Sequence, residues 1–81
     1  MLVLGFDGVE AANTLRTHRV PWREVDAVFL APDCIGFLVK TRRRSVEATA
    51  TRGRTRDGRL LRELRRYAEA HGIRVDPQLE A

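Results

Sequence analysis

The residues best placed to do chemistry in this 81-residue chain are six arginines in two clusters, Arg42-Arg43-Arg44 and Arg52, Arg54 and Arg56. A guanidinium keeps its charge at any ordinary pH and presents a planar fork of donors, so grouped arginines suit phosphate or carboxylate groups. These six are the candidate anion- or partner-binding residues. The competing reading is plain solvated charge, which keeps a small domain soluble. A strand at residues 45–51 is expected to separate the clusters, which would put them at opposite ends of a sheet. The second cluster leads toward a helix start near Asp57, where free N–H groups and the helix dipole would favour an anion.

Other reactive types are poorly arranged for catalysis. His18 and His71 lie far apart, and neither has a second His or Cys at ligand spacing, so no metal site is expected. Cys34 follows Pro32-Asp33 in a turn with no paired base and reads as an ordinary thiol. No two carboxylates share an apolar setting suited to acid–base work. There is no G-x-G-x-x-G and no other phosphate-binding glycine loop. The expectation is a protein that is not an enzyme, with no catalytic residues and no cofactor. Trp22, beside Pro21, reads as a core anchor rather than a ligand-stacking residue, because its large ring gains most by burial.

The formal net charge of +4 is uneven. Residues 1–39 carry Arg16, Arg19 and Arg23 against five acids, a net of −2. Residues 40–66 carry Lys40 and ten arginines against Glu47, Asp57 and Glu63, a net of +8, and the last fifteen residues return to −2. The basic surface thus belongs to the middle segment and could meet an acidic protein, an anionic membrane or nucleic acid. The preference for Arg over Lys also fits a GC-rich genome. A chain of this length makes one domain with a modest core. It contains no run of about 18 apolar residues, so no spanning helix is expected. Met1 to Phe6 lacks the basic start and long apolar stretch of a secretory signal. A single cysteine fits a reducing compartment. The expected location is cytoplasmic, with peripheral contact to a membrane allowed.

These residues must be held by elements that the pattern of apolar positions predicts. Leu2 to Phe6 reads as a first strand at a sheet edge. Asp7-Gly8 reads as a hairpin turn. Val9 to Leu15 is the second strand, with Val9 and Ala11 on one face and Glu10 and Ala12 on the other. Residues 13–18 are expected to loop, and Pro21, lacking an N–H, puts Val20-Pro21 at a strand edge or start. Trp22 to Leu30 is the third strand, with Val25, Ala27 and Phe29 sharing a face. After a turn at Ala31-Pro32-Asp33 come strands at Ile35 to Lys40 and Ser45 to Thr51, joined by Arg42-Arg43-Arg44. Val46, Ala48 and Ala50 alternate with Ser45, Glu47, Thr49 and Thr51. The period then changes. Leu60, Leu61, Leu64, Tyr67, Ala68 and His71 form a helical stripe, capped by Thr55 or Asp57 and stopped at Gly72-Ile73. Residues 1–73 are read as the domain and 74–81 as a tail.

One resemblance sharpens this picture. Asp7-Gly8-Val9 with Asn13, then Arg16-Thr17 and Arg19-Val20-Pro21-Trp22 with Val25, resembles the bacterial pleckstrin-homology-like (PH-like) domains of the actinobacterial low-molecular-weight protein antigen type. In that family a "DG-L-x-V-x-N" strand precedes an "R-x-x-x-V-P-W-x-x-V" segment. The resemblance spans roughly residues 1–71, with its specific motifs in 5–28. It implies an α+β PH-like half-barrel: an antiparallel five-strand meander with one C-terminal amphipathic helix packed on it. It also implies a binding or scaffolding module and no reaction. Many family members carry this domain after transmembrane helices, which this chain lacks. A complete PH barrel has seven strands where five are read here, and the strands that flank the phosphoinositide loop have no counterpart, so no lipid-binding residue carries over. The expected function is non-enzymatic binding, to a protein partner or an anionic membrane surface. The alternative is nucleic-acid binding through the Arg-rich segment 42–66. The open first strand suggests a homo-oligomer, most simply a homodimer.

Overall fold

The computed structural model describes residues 1–13, 15–31, 36–49 and 57–80. It shows an α+β domain whose strands form two sheets rather than one five-strand meander. The first sheet is β1 (Leu2–Leu4), β2 (Gly8–Ala12) and β3 (Thr17–Pro21), all antiparallel and in that order. The second contains β4 (Val25–Leu30), β5 (Phe37–Thr41), β6 (Ser45–Ala48) and β7 (Arg74–Val75), in the order β6-β5-β4-β7. The helix α1 (Gly58–His71) precedes β7, and a short α2 (Pro77–Glu80) follows it.

The extra strand in the first sheet comes from a turn that the sequence reading missed. The Asn13 side-chain oxygen accepts from the N–H groups of Leu15 and Arg16 at 2.9 Å each, and the Asn13 N–H donates to the Arg16 carbonyl. The chain therefore reverses at once, and Thr17–Pro21 pairs along β2, including Thr17 and His18, which were expected to loop. Thr17, His18 and Arg19 hide the strand because only Val20 among its first four residues is fully buried. Pro21 ends this edge strand, as a residue without an N–H should.

Two glycines permit close backbone approach. A Cβ on Gly8 would stand 2.3 Å from the Val20 carbonyl oxygen, and one on Gly36 would stand 2.5 Å from that of Ala48. Gly8 is thus the first residue of β2, opposite Pro21, rather than the positive-φ corner of a hairpin turn.

Trp22–Glu24, expected to begin a strand, instead forms a 3-10 turn that carries the chain from the first sheet to the second. The turn closes where the Val25 N–H donates to the Trp22 carbonyl. The pairing of β4 with β5 then shifts register between Val25 and Ala27. This bulge resets which side chains face inward. Val25 and Val28 enter the main core, while Phe29, expected beside Val25, is half-buried under the Lys40 ammonium, 5.6 Å from its ring centroid. The alternation expected for Ser45–Thr49 holds, with Val46 and Ala48 buried and Ser45, Glu47 and Thr49 exposed; Ala50 and Thr51 lie outside the described residues.

The helix forms as its sequence predicts. Asp57 caps it by accepting from the N–H groups of Arg59 and Leu60, and Gly72 ends it at φ 67°. The Ile73 N–H returns to the Ala68 carbonyl, and Ile73 is buried. Leu60, Leu64 and Ala68 join residues of both sheets in one apolar cluster. The other proposed cap, Thr55, lies outside the described residues.

The segment read as a tail is built into the second sheet. Arg74 and Val75 pair in parallel with Ala27 and Val28, so the sheet is mixed rather than wholly antiparallel. The buried Asp76 carboxylate accepts from the N–H groups of Leu30 and Gln78, and Leu79 is 2% exposed. Two residues of strand and four of helix are too short to leave a periodic signal. Among the described residues no helix is long and apolar enough to cross a membrane.

Candidate anion-binding groove

The site begins with the turn between β5 and β6. Thr41 holds its backbone: the Thr41 N–H and hydroxyl both donate to the Arg44 carbonyl, while the hydroxyl oxygen accepts from the N–H groups of Arg43 and Arg44. The turn therefore does not depend on the three arginine side chains, and all three residues are exposed.

Opposite this turn lies the corner between the sheets. Arg19 stands on the outer face of β3, two residues before Pro21, and Arg23 sits in the 3-10 turn. Arg19, Val20, Arg23 and Glu24 form one side of a groove of about 790 Å³, and Thr41 with Arg42, Arg43 and Arg44 forms the other. Five arginines thus line the groove together with one acidic residue, Glu24. Arg19 also has an exposed ion pair with Glu10 at 3.8 Å, and such pairs are weak enough for an incoming anion to displace.

A shallower depression of about 330 Å³ adjoins the groove and shares Arg19 and Val20 with it. It lies over the first sheet and includes Val3, Phe6 and Pro21. Gly5 and Gly8 also line it.

Trp22 lies beneath this corner and is 2% exposed. Its indole N–H donates to the Gly5 carbonyl at 2.7 Å, and its ring stacks on Tyr67 and His71 at centroid distances of 4.9 and 5.7 Å. It is the core anchor expected from its place beside Pro21. The indole fixes the β1–β2 turn on one side and α1 on the other, so it sets the position of the corner that carries Arg23.

The structure brings Arg42, Arg43 and Arg44 together with Arg19 and Arg23, two residues that the sequence reading did not select. The only signal for them was proximity to Pro21, which marks a corner without saying what faces it. Arg52, Arg54 and Arg56 lie outside the described residues, as does Cys34. His18 is half-buried in β3, and His71 lies against Trp22. Among the described residues no group of three or more His, Cys, Asp or Glu could hold a metal ion. Compared with known proteins, the chain matches no family model, no curated protein and no solved structure.

Proposed function

We propose that this protein is a non-enzymatic binding module of the PH-like kind whose working surface is the arginine-lined groove, and that it docks on the anionic surface of a protein or a membrane. The observation that carries this reading is the meeting of Arg19 and Arg23 with Arg42, Arg43 and Arg44 across one groove. Like charges repel, so five arginines gathered along one groove favour the binding of a counter-charge there. The groove is open and polar, as a docking site for phosphate or carboxylate groups requires. The antiparallel hairpins and the packed amphipathic helix support the PH-like part of the reading.

Long-chain polyphosphate is a suitable first probe. The chain should bind it with an affinity that falls steeply as salt rises, because each neutralised phosphate releases counterions. Replacing Arg42, Arg43 and Arg44 together by Ala should remove most of the binding and flatten the salt dependence. Equal binding by the triple variant and the unaltered protein would reject the groove as the site. A strong preference for a defined nucleic-acid sequence would favour nucleic-acid binding instead.

A further inference from the structure

We infer that the anionic surface is a lipid bilayer, and that Phe6 enters its interfacial zone while the groove arginines engage the headgroups. This rests on the anion-docking reading above and adds the identity of the surface. Phe6 sits in the turn between β1 and β2 and is 87% exposed, and Val3 beside it is 44% exposed. A phenylalanine held in water at a turn gains only when something apolar covers it. Its position is fixed from below, because the neighbouring Gly5 carbonyl receives the Trp22 indole N–H.

Phe6 also lies at the charged end of the domain. It lines the depression that shares Arg19 and Val20 with the arginine groove. The same depression includes Asp7 and Glu10, the latter ion-paired with Arg19, so the positive charge facing a bilayer must come from the groove. One end of the molecule presents the apolar Phe6 beside that arginine-lined groove, the two components that together hold a protein at an anionic membrane surface. Each arginine near such a surface strengthens binding by roughly fivefold, and one buried aromatic adds a salt-insensitive share. A single-strand nucleic-acid platform would use several aromatics in succession, whereas Phe6 is the one aromatic among the residues lining its depression. Leu15 provides an internal contrast. It is 90% exposed, but it follows the far end of β2, away from this groove.

The test uses the full chain with vesicles of phosphatidylcholine alone and of phosphatidylcholine mixed with phosphatidylglycerol, together with long-chain polyphosphate and a single-stranded oligonucleotide. The protein is expected to sediment with the mixed vesicles and not with the neutral ones. Phe6→Ala should weaken vesicle partitioning by roughly tenfold, with an unchanged salt slope and unchanged polyphosphate binding. Phe6→Leu should restore most of the partitioning, and Leu15→Ala should behave as the unaltered protein. If Phe6→Ala binds mixed vesicles as well as the unaltered protein does, the bilayer inference fails; retained polyphosphate binding would then leave the anion-docking reading intact. If neither vesicles nor polyphosphate bind, that underlying reading fails. Preference for the oligonucleotide over the vesicles, lost with Phe6→Ala, would make Phe6 a base-stacking residue and overturn the bilayer assignment. Phe6 is so exposed that its removal should leave the thermal midpoint unchanged, which separates loss of binding from loss of fold.

Discussion

Trp22 joins three parts of the molecule through one side chain: the Gly5 carbonyl, the helix face at Tyr67 and His71, and the corner that holds Arg23. Trp22→Phe keeps an aromatic ring in the stack but leaves the Gly5 carbonyl without its donor. The expected loss is about 1–2 kcal/mol in urea unfolding, the range for a hydrogen bond whose partner is left behind. Leu64 is wholly buried where the helix meets the sheets. Leu64→Asp places an unpaired charge there, at a cost of several kcal/mol against a total stability of about 5–15 kcal/mol, so the domain should unfold. Circular dichroism would check this, and a folded Leu64→Asp variant would contradict the packing described. Both residues were legible in the sequence, Trp22 from its neighbour Pro21 and Leu64 from the helical stripe. Phe29 was not, because the bulge between Val25 and Ala27 changes the facing of later side chains and leaves no mark in the apolar pattern.

Among the elements, α1 was the most legible because its cap, apolar stripe and stop residue agree. The strand β3 was hidden by its polar residues, and β7 with α2 by their brevity. These last two elements are held by Asp76, whose carboxylate links the end of β4 to the start of α2. Asp76→Ala leaves the partly buried Leu30 N–H and the Gln78 N–H without their acceptor. A loss of about 1–2 kcal/mol is expected, in the range for loss of a cap with a further bond. Hydrogen exchange should also show faster loss of protection at Leu30 than at Val39, which lies in the middle strand β5. Equal protection in the variant and the unaltered protein at Leu30 would show that this bond adds nothing.

At the scale of the molecule, the arginine triplet was legible but the groove was not. Arg19 and Arg23 join Arg42, Arg43 and Arg44 only because the 3-10 turn directs the chain from one sheet to the next. Thr41 holds the turn without help from the arginine side chains. Replacing the three by Ala should therefore change stability by no more than about 0.5 kcal/mol, the range for exposed positions, and relief of repulsion favours a small gain at low salt. Thermal melts at low and high salt would measure both effects. A triple variant that unfolds would show that the side chains have a structural role.

The parallel pairing of β7 with β4 joins residues more than half the chain apart, whereas β1 to β3 and β4 to β6 each pair with near neighbours. Closing a long loop is slower than closing a hairpin, because more chain entropy is lost before any contact compensates. The hairpins and the helix are therefore expected to form ahead of the rate-limiting barrier, with the docking of β7 and α2 on its far side. In stopped-flow measurements, Asp76→Ala should speed unfolding and leave refolding nearly unchanged. The final residues then act as a latch on an assembled domain: they govern how long it stays folded more than how quickly it gets there.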